Sequence, residues 1–348
     1  MSMDNQIKTK NPSLSAQDIS APALFDQFGR IFDYLRIAVN EKCNLRCIYC
    51  MPEKGVPFKP LNALLTTAEI TRLMVITARL GVNKVRFTGG EPLLRKDITE
   101  LVYAAAGTPG IQSVHLTTNG LLLESMVPKL QEAGLTGVNI SLDTLKPDRF
   151  KQITRREGLA QVMAGLDAAL AAGLLSTKLN VVAMRNFNVD ELSQFTELTR
   201  DRNIVVRFIE LMPFDSHQIW KTGEFYGENQ IIGDLQRAFP HLIADQGSRT
   251  EHIIYRVPGY RGKIAVIPAY SRHLCGACNR IRITADGKIL NCLFSHEETN
   301  VIDRLRSGAG DNEIAELMKT AMRKKLENGW EAQKSGVEQR DSMTQIGG

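Results

Sequence analysis

Aromatic residues are scarce in this sequence. Phe, Trp and Tyr supply 6% of 348 residues, with two tryptophans, which leaves little material for the stacked bases of a single-stranded nucleic acid. Charge of one sign is also missing: 43 Lys and Arg against 38 Asp and Glu leave a net +5, too little to mark a polyanion-coating protein. Nucleic acid is therefore not an expected partner. No apolar run reaches membrane-spanning length, and the opening MSMDNQIKTKNPSLSAQDIS lacks the apolar core of an export signal. A cytoplasmic protein without membrane association is expected, and in that reducing compartment structural disulfides are not.

The chain does contain a long alternation of strand-like and helix-like segments. Strands are predicted over 32–39, 84–88, 113–118, 137–142, 177–184 and 204–210. Between the first two, Thr66 and Glu69 form a capping-box pair, Ile70, Leu73, Met74 and Leu80 recur at helical spacing, and Gly81 stops the helix. Six such units predict an α/β fold, an open, partial TIM-like (β/α)6 barrel whose chemistry gathers at the strand C-termini. From about residue 215 the rhythm changes, and HIIYRVPGYRGKIAVIPAY reads as a hairpin. The expected division is a flexible extension over 1–27, a barrel over 28–214 and a smaller C-terminal domain over 215–348.

All six cysteines fall into two trios, C-x3-C-x2-C at Cys43, Cys47 and Cys50 and C-x2-C-x13-C at Cys275, Cys278 and Cys292. Zinc normally takes four protein ligands. His273 or His296 could complete such a site at the second trio, but no histidine lies near the first. Three thiolates on a 4Fe-4S cluster leave one iron open to a ligand.

Other features sit at the strand ends. In KVRFTGGEPLLR, Gly89 and Gly90 permit close backbone approach and Glu91-Pro92 fix the turn, while Thr117 and Ser141 end the next two strands. Arg36, Lys84, Arg86, Lys178 and Arg207 place cations on successive strands. Burying unpaired cations is costly, so the series points to a polyanion such as a triphosphate. Arg280 and Arg282 share one strand face, with Ile281 turned away.

The C-x3-C-x2-C loop with Tyr49 before its last cysteine is similar to the signature of the radical S-adenosylmethionine (SAM) superfamily. With YLR, RFTGGEPLLR, LTTNG, NISLD, RFIELMPF, CNRIRIT, ADGKILNCLF and the terminal IGG, the chain from about residue 30 resembles the GTP 3′,8-cyclase family, which opens molybdenum cofactor biosynthesis. The resemblance implies two 4Fe-4S clusters, one on Cys43, Cys47 and Cys50 that binds SAM, and an auxiliary one on Cys275, Cys278 and Cys292 that binds the guanine base. It implies SAM contacts from Tyr49, Gly90, Ser141 and Met212, and GTP contacts from Arg36, Lys84, Arg86, Thr117, Lys178, Arg207, Arg280, Ile281 and Arg282. The terminal Gly347 and Gly348 are expected to enter the active site. The implied reaction is abstraction of the ribose 3′ hydrogen by a 5′-deoxyadenosyl radical, then attack on guanine C8 and reduction, giving (8S)-3′,8-cyclo-7,8-dihydroguanosine 5′-triphosphate. An electron donor, a downstream cyclic pyranopterin monophosphate synthase and a homodimer complete the expectation. The rival reading is a radical SAM peptide-modifying enzyme with an auxiliary cluster. A zinc-ribbon nucleic-acid binder is the third.

Overall fold

A computed structural model describes residues 24–212, 224–245, 252–334, 340 and 342–347. The first part runs β1 (Tyr34–Ala38), α1 (Thr67–Arg79), β2 (Lys84–Thr88), α2 (Ile98–Ala106), β3 (Ser113–Thr118), α3 (Leu123–Glu132), β4 (Gly137–Ser141), α4 (Pro147–Thr154), α5 (Leu159–Ala171), β5 (Ser176–Ala183), α6 (Leu192–Glu197) and β6 (Val205–Glu210). Alternation along the strands decides their orientation. Leu35, Ile37, Val85, Phe87, Val114 and Leu116 turn outward into a core shared with the helices. Arg36, Arg86 and His115 lie opposite one another on the other face. At the start of α1 the Thr66 hydroxyl accepts from Glu69 N and the Glu69 carboxylate accepts from Thr66 N at 2.8 Å, a cap worth about 1 kcal/mol.

The rest of the chain contributes α7 (Glu228–Ala238), β7 (Ile243–Ala244), β8 (Ile253–Arg256), β9 (Lys263–Ile267), β10 (Arg280–Ile283), β11 (Lys288–Leu290), β12 (Thr299–Asn300), α8 (Ile302–Arg306), α9 (Asp311–Arg323) and α10 (Gly329–Lys334). Its hairpin is β8 antiparallel to β9. These strands do not build a sheet of their own. The order β12-β11-β10-β1-β2-β3-β4-β5-β6-β9-β8-β7 makes one sheet, in which β9 joins β6 and β10 joins β1, both parallel. The C-terminal part thus extends the open α/β barrel at both edges, and residues 268–279 cross from one edge to the other.

The start of the chain also differs from expectation. Leu24 is wholly buried and exchanges backbone hydrogen bonds with Phe32 and Leu80, so 24–27 belong to the packed fold because an apolar side chain anchors them. Among the described residues no helix is long and apolar enough to cross a membrane.

Candidate active site

Strand direction sets the layout. Cys43, Cys47 and Cys50 follow the C-terminal end of β1. Cys275 and Cys278 precede β10, whose first residue pairs with Tyr34 at the N-terminal end of β1. Cys292 follows β11, which runs antiparallel to β10. The trios therefore lie at opposite ends of the barrel, yet all six thiols border one interior cavity of about 340 Å³.

At the first end, Gly89 and Gly90 bring two loops together. A Cβ on Gly89 would lie 2.4 Å from Asn40 O, and one on Gly90 2.3 Å from Lys42 O. The close approach that requires glycine is thus to the cysteine loop itself. Glu91 completes the joint: it accepts from Thr118 Oγ1 and Asn119 N, both at 2.7 Å, and from Leu93 N at 3.0 Å. Burial nevertheless raises its carboxyl to about 7. Asp143 takes the Tyr49 hydroxyl at 2.6 Å and Val182 N at 2.8 Å, and burial raises it to about 6. Burial, then Cys50 and Asp143, push the Cys47 thiol well above its ordinary value. Removing a proton there becomes favourable only when a cation joins the sulfurs.

The middle of the barrel is cationic. Arg282, Arg36, Arg86 and His115 stand in register across β10, β1, β2 and β3. Burial, with added repulsion from Arg36 and Arg280, pushes the Arg282 guanidinium well below its usual range. Arg36 Nε and Thr117 Oγ1 are buried and find no hydrogen-bond partner among the described residues. Such orphaned donors beside crowded guanidiniums fit an anionic ligand. The other cations behave differently. Lys84 Nζ and Arg86 Cζ stand 4.6 and 5.3 Å from the Tyr34 ring centroid. With its amide oriented to accept, the Asn139 oxygen bridges Arg86 to Arg207 Nη2 at 2.6 Å, and Arg207 Nε donates to Asn180 at 2.8 Å.

Of the sequence-derived SAM contacts, Tyr49, Gly90, Ser141 and Met212 all border the cavity. Of the GTP contacts, Arg36, Thr117, Arg207, Arg280 and Arg282 do, whereas Lys84, Arg86 and Lys178 are set back from it. Arg86 is fully buried and Ile281 faces the opposite, apolar side, so only the Ile281 backbone can serve a ligand. In the tail, Gly347 packs against β2 and β10. Its carbonyl accepts from Thr88 Oγ1 at 3.2 Å and Arg282 Nη1 at 3.4 Å. A Cβ there would lie 2.7 Å from Thr88 Oγ1, on a backbone with φ 69°. Upstream, Ser342 Oγ donates to Cys50 O at 2.8 Å. Gly348 lies outside the described residues.

Several residues that shape the second trio were not singled out in the sequence. Lys325 Nζ donates to Cys278 Sγ at 3.4 Å and to Asn291 O at 2.5 Å. Burial would raise the Cys278 thiol, but Arg280, Lys325 and Arg282 together hold it down to about 5. Arg30 Nη1 donates to Cys275 O at 3.1 Å and to Glu327 O at 2.7 Å, tying the N-terminal turn to the site. The cue for Lys325 was weak, one cation in a basic run that reads as a solvated helix end.

The thiols fit iron-sulfur clusters better than single ions. None of the six is in a disulfide, and all are partly buried. No three His, Cys, Asp or Glu groups among the described residues converge tightly enough for one metal ion. His273, the nearest candidate fourth zinc ligand in sequence, instead places Nδ1 2.9 Å from Glu228.

Comparisons with known proteins agree with this geometry. The Radical SAM superfamily matches residues 37–199 and Molybdenum Cofactor Synthesis C matches 204–330. The chain is 45% identical to a GTP 3′,8-cyclase of Chlorobaculum tepidum, with 93% of this chain and 97% of that one covered. It is 44% identical to molybdenum cofactor biosynthesis protein 1 of Mus musculus, over 87% of this chain but about half, 48%, of the mouse protein. Among solved structures, Streptococcus suis SuiB bound to S-adenosylmethionine superposes with a TM-score of 0.56 at 16% identity, covering 82% of this chain and 68% of SuiB. That likeness concerns the fold alone.

Proposed function

Since the chain belongs to the GTP 3′,8-cyclase family of radical SAM enzymes, we propose that it converts GTP to (8S)-3′,8-cyclo-7,8-dihydroguanosine 5′-triphosphate, the opening step of molybdenum cofactor biosynthesis. The observation that carries this reading is the cation cluster of Arg36, Arg280 and Arg282 inside a cavity that both cysteine trios border. When bound, two 4Fe-4S clusters and SAM would supply the electron and the 5′-deoxyadenosyl group that take up the ribose 3′ hydrogen, and one further electron with a proton would complete the bond between C3′ and guanine C8.

The chain's own residues hold and orient. Cys43, Cys47 and Cys50 hold the SAM cluster, and Tyr49, Gly90, Ser141 and Met212 receive SAM beside it. Arg36, Thr117, Arg207, Arg280 and Arg282 bind GTP, and the peptide groups around Ile281 run alongside. Lys84, Arg86 and Lys178 support them from behind, Arg86 through Asn139 and Arg207. Cys275, Cys278 and Cys292 hold the auxiliary cluster at the other end, where the guanine base belongs. Pinning both ends of the nucleotide holds C3′ and C8 in register, which lowers the barrier by removing alternative arrangements. Gly347 and the terminal Gly348 belong to the active site in this reading, and the tight, left-handed backbone at Gly347 admits no larger residue. The division into an extension, a barrel and a C-terminal cluster domain, an electron donor, a synthase consuming the product, a cytoplasmic setting and a homodimer belong to the same proposal.

The test is anaerobic turnover of reconstituted protein with SAM, a reductant and GTP, read by mass spectrometry. GTP-dependent 5′-deoxyadenosine together with a cyclised nucleotide is the expected result. Deoxyadenosine without a nucleotide product would transfer the site to another substrate, peptides first.

A further inference from the structure

The crossing segment carries a cation that neither the triphosphate clamp nor the thiol chemistry uses. Arg272 precedes Cys275 by three residues, with φ 59°, a left-handed backbone that is strained for a non-glycine residue. Its side chain turns inward, and the residue is 5% exposed. The guanidinium carbon stands 3.5 Å from the Phe294 ring centroid and 3.9 Å from that of Trp330, so both of its faces are covered. Tyr270 braces Trp330 edge-on at 5.3 Å, and Nη2 donates to Gln333 Oε1 at 2.6 Å. A Cβ on Gly329 would lie 2.7 Å from Phe294 and 3.0 Å from Arg272 Cδ, so glycine is needed there for the stack to form.

What remains open is the edge of the group. Nε and Nη1 are buried with no hydrogen-bond partner among the described residues, and Arg272 borders the cavity together with all three thiols of the second trio. A guanidinium held this way is expensive unless an anion meets it. Burial lowers its hold on the proton, and Cys275, Cys292 and Tyr270 are the groups around it whose negative charge would offset that.

We propose that Arg272 is a positioning residue for the auxiliary cluster, offering N–H donors and a fixed positive charge to its sulfurs and so raising its reduction potential. This rests on the assignment of an iron-sulfur cluster to Cys275, Cys278 and Cys292. Reduction adds negative charge to a cluster, and a cation sandwiched between rings, away from water, stabilises the reduced form selectively.

The experiment is a potentiometric EPR titration of the full-length, reconstituted protein, with a Cys292→Ala variant identifying the signal of the first cluster. Arg272→Leu should move the auxiliary potential to more negative values and leave the first cluster's potential in place. Arg272→Lys, which keeps charge without the planar fork, should fall between. A structural role alone would lower thermal stability without moving either potential. An unmoved auxiliary potential, or weakened GTP binding in its place, overturns the proposal. If Arg272→Leu fails to retain its second cluster, Gln333→Leu decides: a smaller shift of the same sign supports the proposal and an unmoved potential refutes it. Wild-type protein with a single cluster signal would remove the auxiliary site, and the proposal with it.

Discussion

In the first trio burial raises the thiols first, with charge from Glu91 adding to it at Cys43 and charge from Cys50 and Asp143 at Cys47, whereas Cys278 at the other end is held down against its burial by Arg280, Lys325 and Arg282. One fold thus places the same ligand type in opposite electrostatic settings within a single cavity. Ionised acid neighbours would disfavour added negative charge on a cluster held at the first trio, the setting that favours electron donation. Cation neighbours favour both the reduced cluster and an anionic substrate. The opposition follows from topology. The first trio hangs from strand C-termini, where Glu91 and Asp143 stitch adjacent loops together. The second enters from the opposite end, on the segment that joins the two sheet edges.

The comparison breaks most visibly if either trio is removed. Cys292→Ser should lose cyclised nucleotide and about half of the bound iron while still producing 5′-deoxyadenosine. Cys50→Ser should yield neither product. Full cyclisation by Cys292→Ser would end the division of labour. Next in size is the clamp: Arg282→Ala removes a buried charge, and charge-assisted contacts are worth about 1.5 to 3 kcal/mol, so GTP affinity in an equilibrium titration should weaken roughly 10- to 100-fold. Unchanged affinity would mean that the Arg36, Arg280 and Arg282 cluster serves packing rather than phosphate.

Much of this arrangement is legible in the sequence because it is periodic or local. Strand ends fall within two residues of expectation, since inward and outward positions alternate strictly, and the Thr66 cap is a short-range pattern. Six cysteines in two spacings disclose both trios. What remains hidden depends on register between distant segments. Nothing local to Arg280 says that β10 pairs with β1 and not with β9, yet that pairing puts Arg282 level with Arg36 and the two trios at opposite ends. Within the cation series, Lys84 and Arg86 turn to Tyr34 and Asn139, partners that no linear pattern reveals. Asp143 lay two residues beyond Ser141 in plain view, but its link to Tyr49 spans the barrel mouth.

The acid side of the comparison gives a pH signature of intermediate size. Burial raises Glu91 to about 7 and Asp143 to about 6, above the roughly 4 expected in the unfolded chain. The folded protein therefore holds protons that unfolding releases. Stability from these groups is complete below about pH 4 and is lost as pH rises through about 6 and 7, by a few kcal/mol at most. Glu91→Gln mimics the protonated acid, so cluster-free Glu91→Gln should gain stability relative to wild type between about pH 5 and pH 8 in urea titrations. A pH-independent difference would count against the raised carboxyl.

The smallest expected effect separates the Tyr49 ring from its hydroxyl. Tyr49→Phe keeps the ring beside Cys50 and deletes the 2.6 Å donor to Asp143. A buried acceptor left unmade costs roughly 1 to 3 kcal/mol, but here the loss is buffered, because Val182 N still donates to Asp143 and the carboxyl can protonate. The cost should therefore fall near 1 kcal/mol and grow with pH, since only the ionised carboxylate misses its donor. Among the described residues Lys325 at the far end shares no hydrogen-bond partner with this pair, so combining Tyr49→Phe with Lys325→Met should give additive losses. A coupling above roughly 0.5 kcal/mol between them would show that the acidic and cationic ends sense one another through the cavity even before any cofactor joins them.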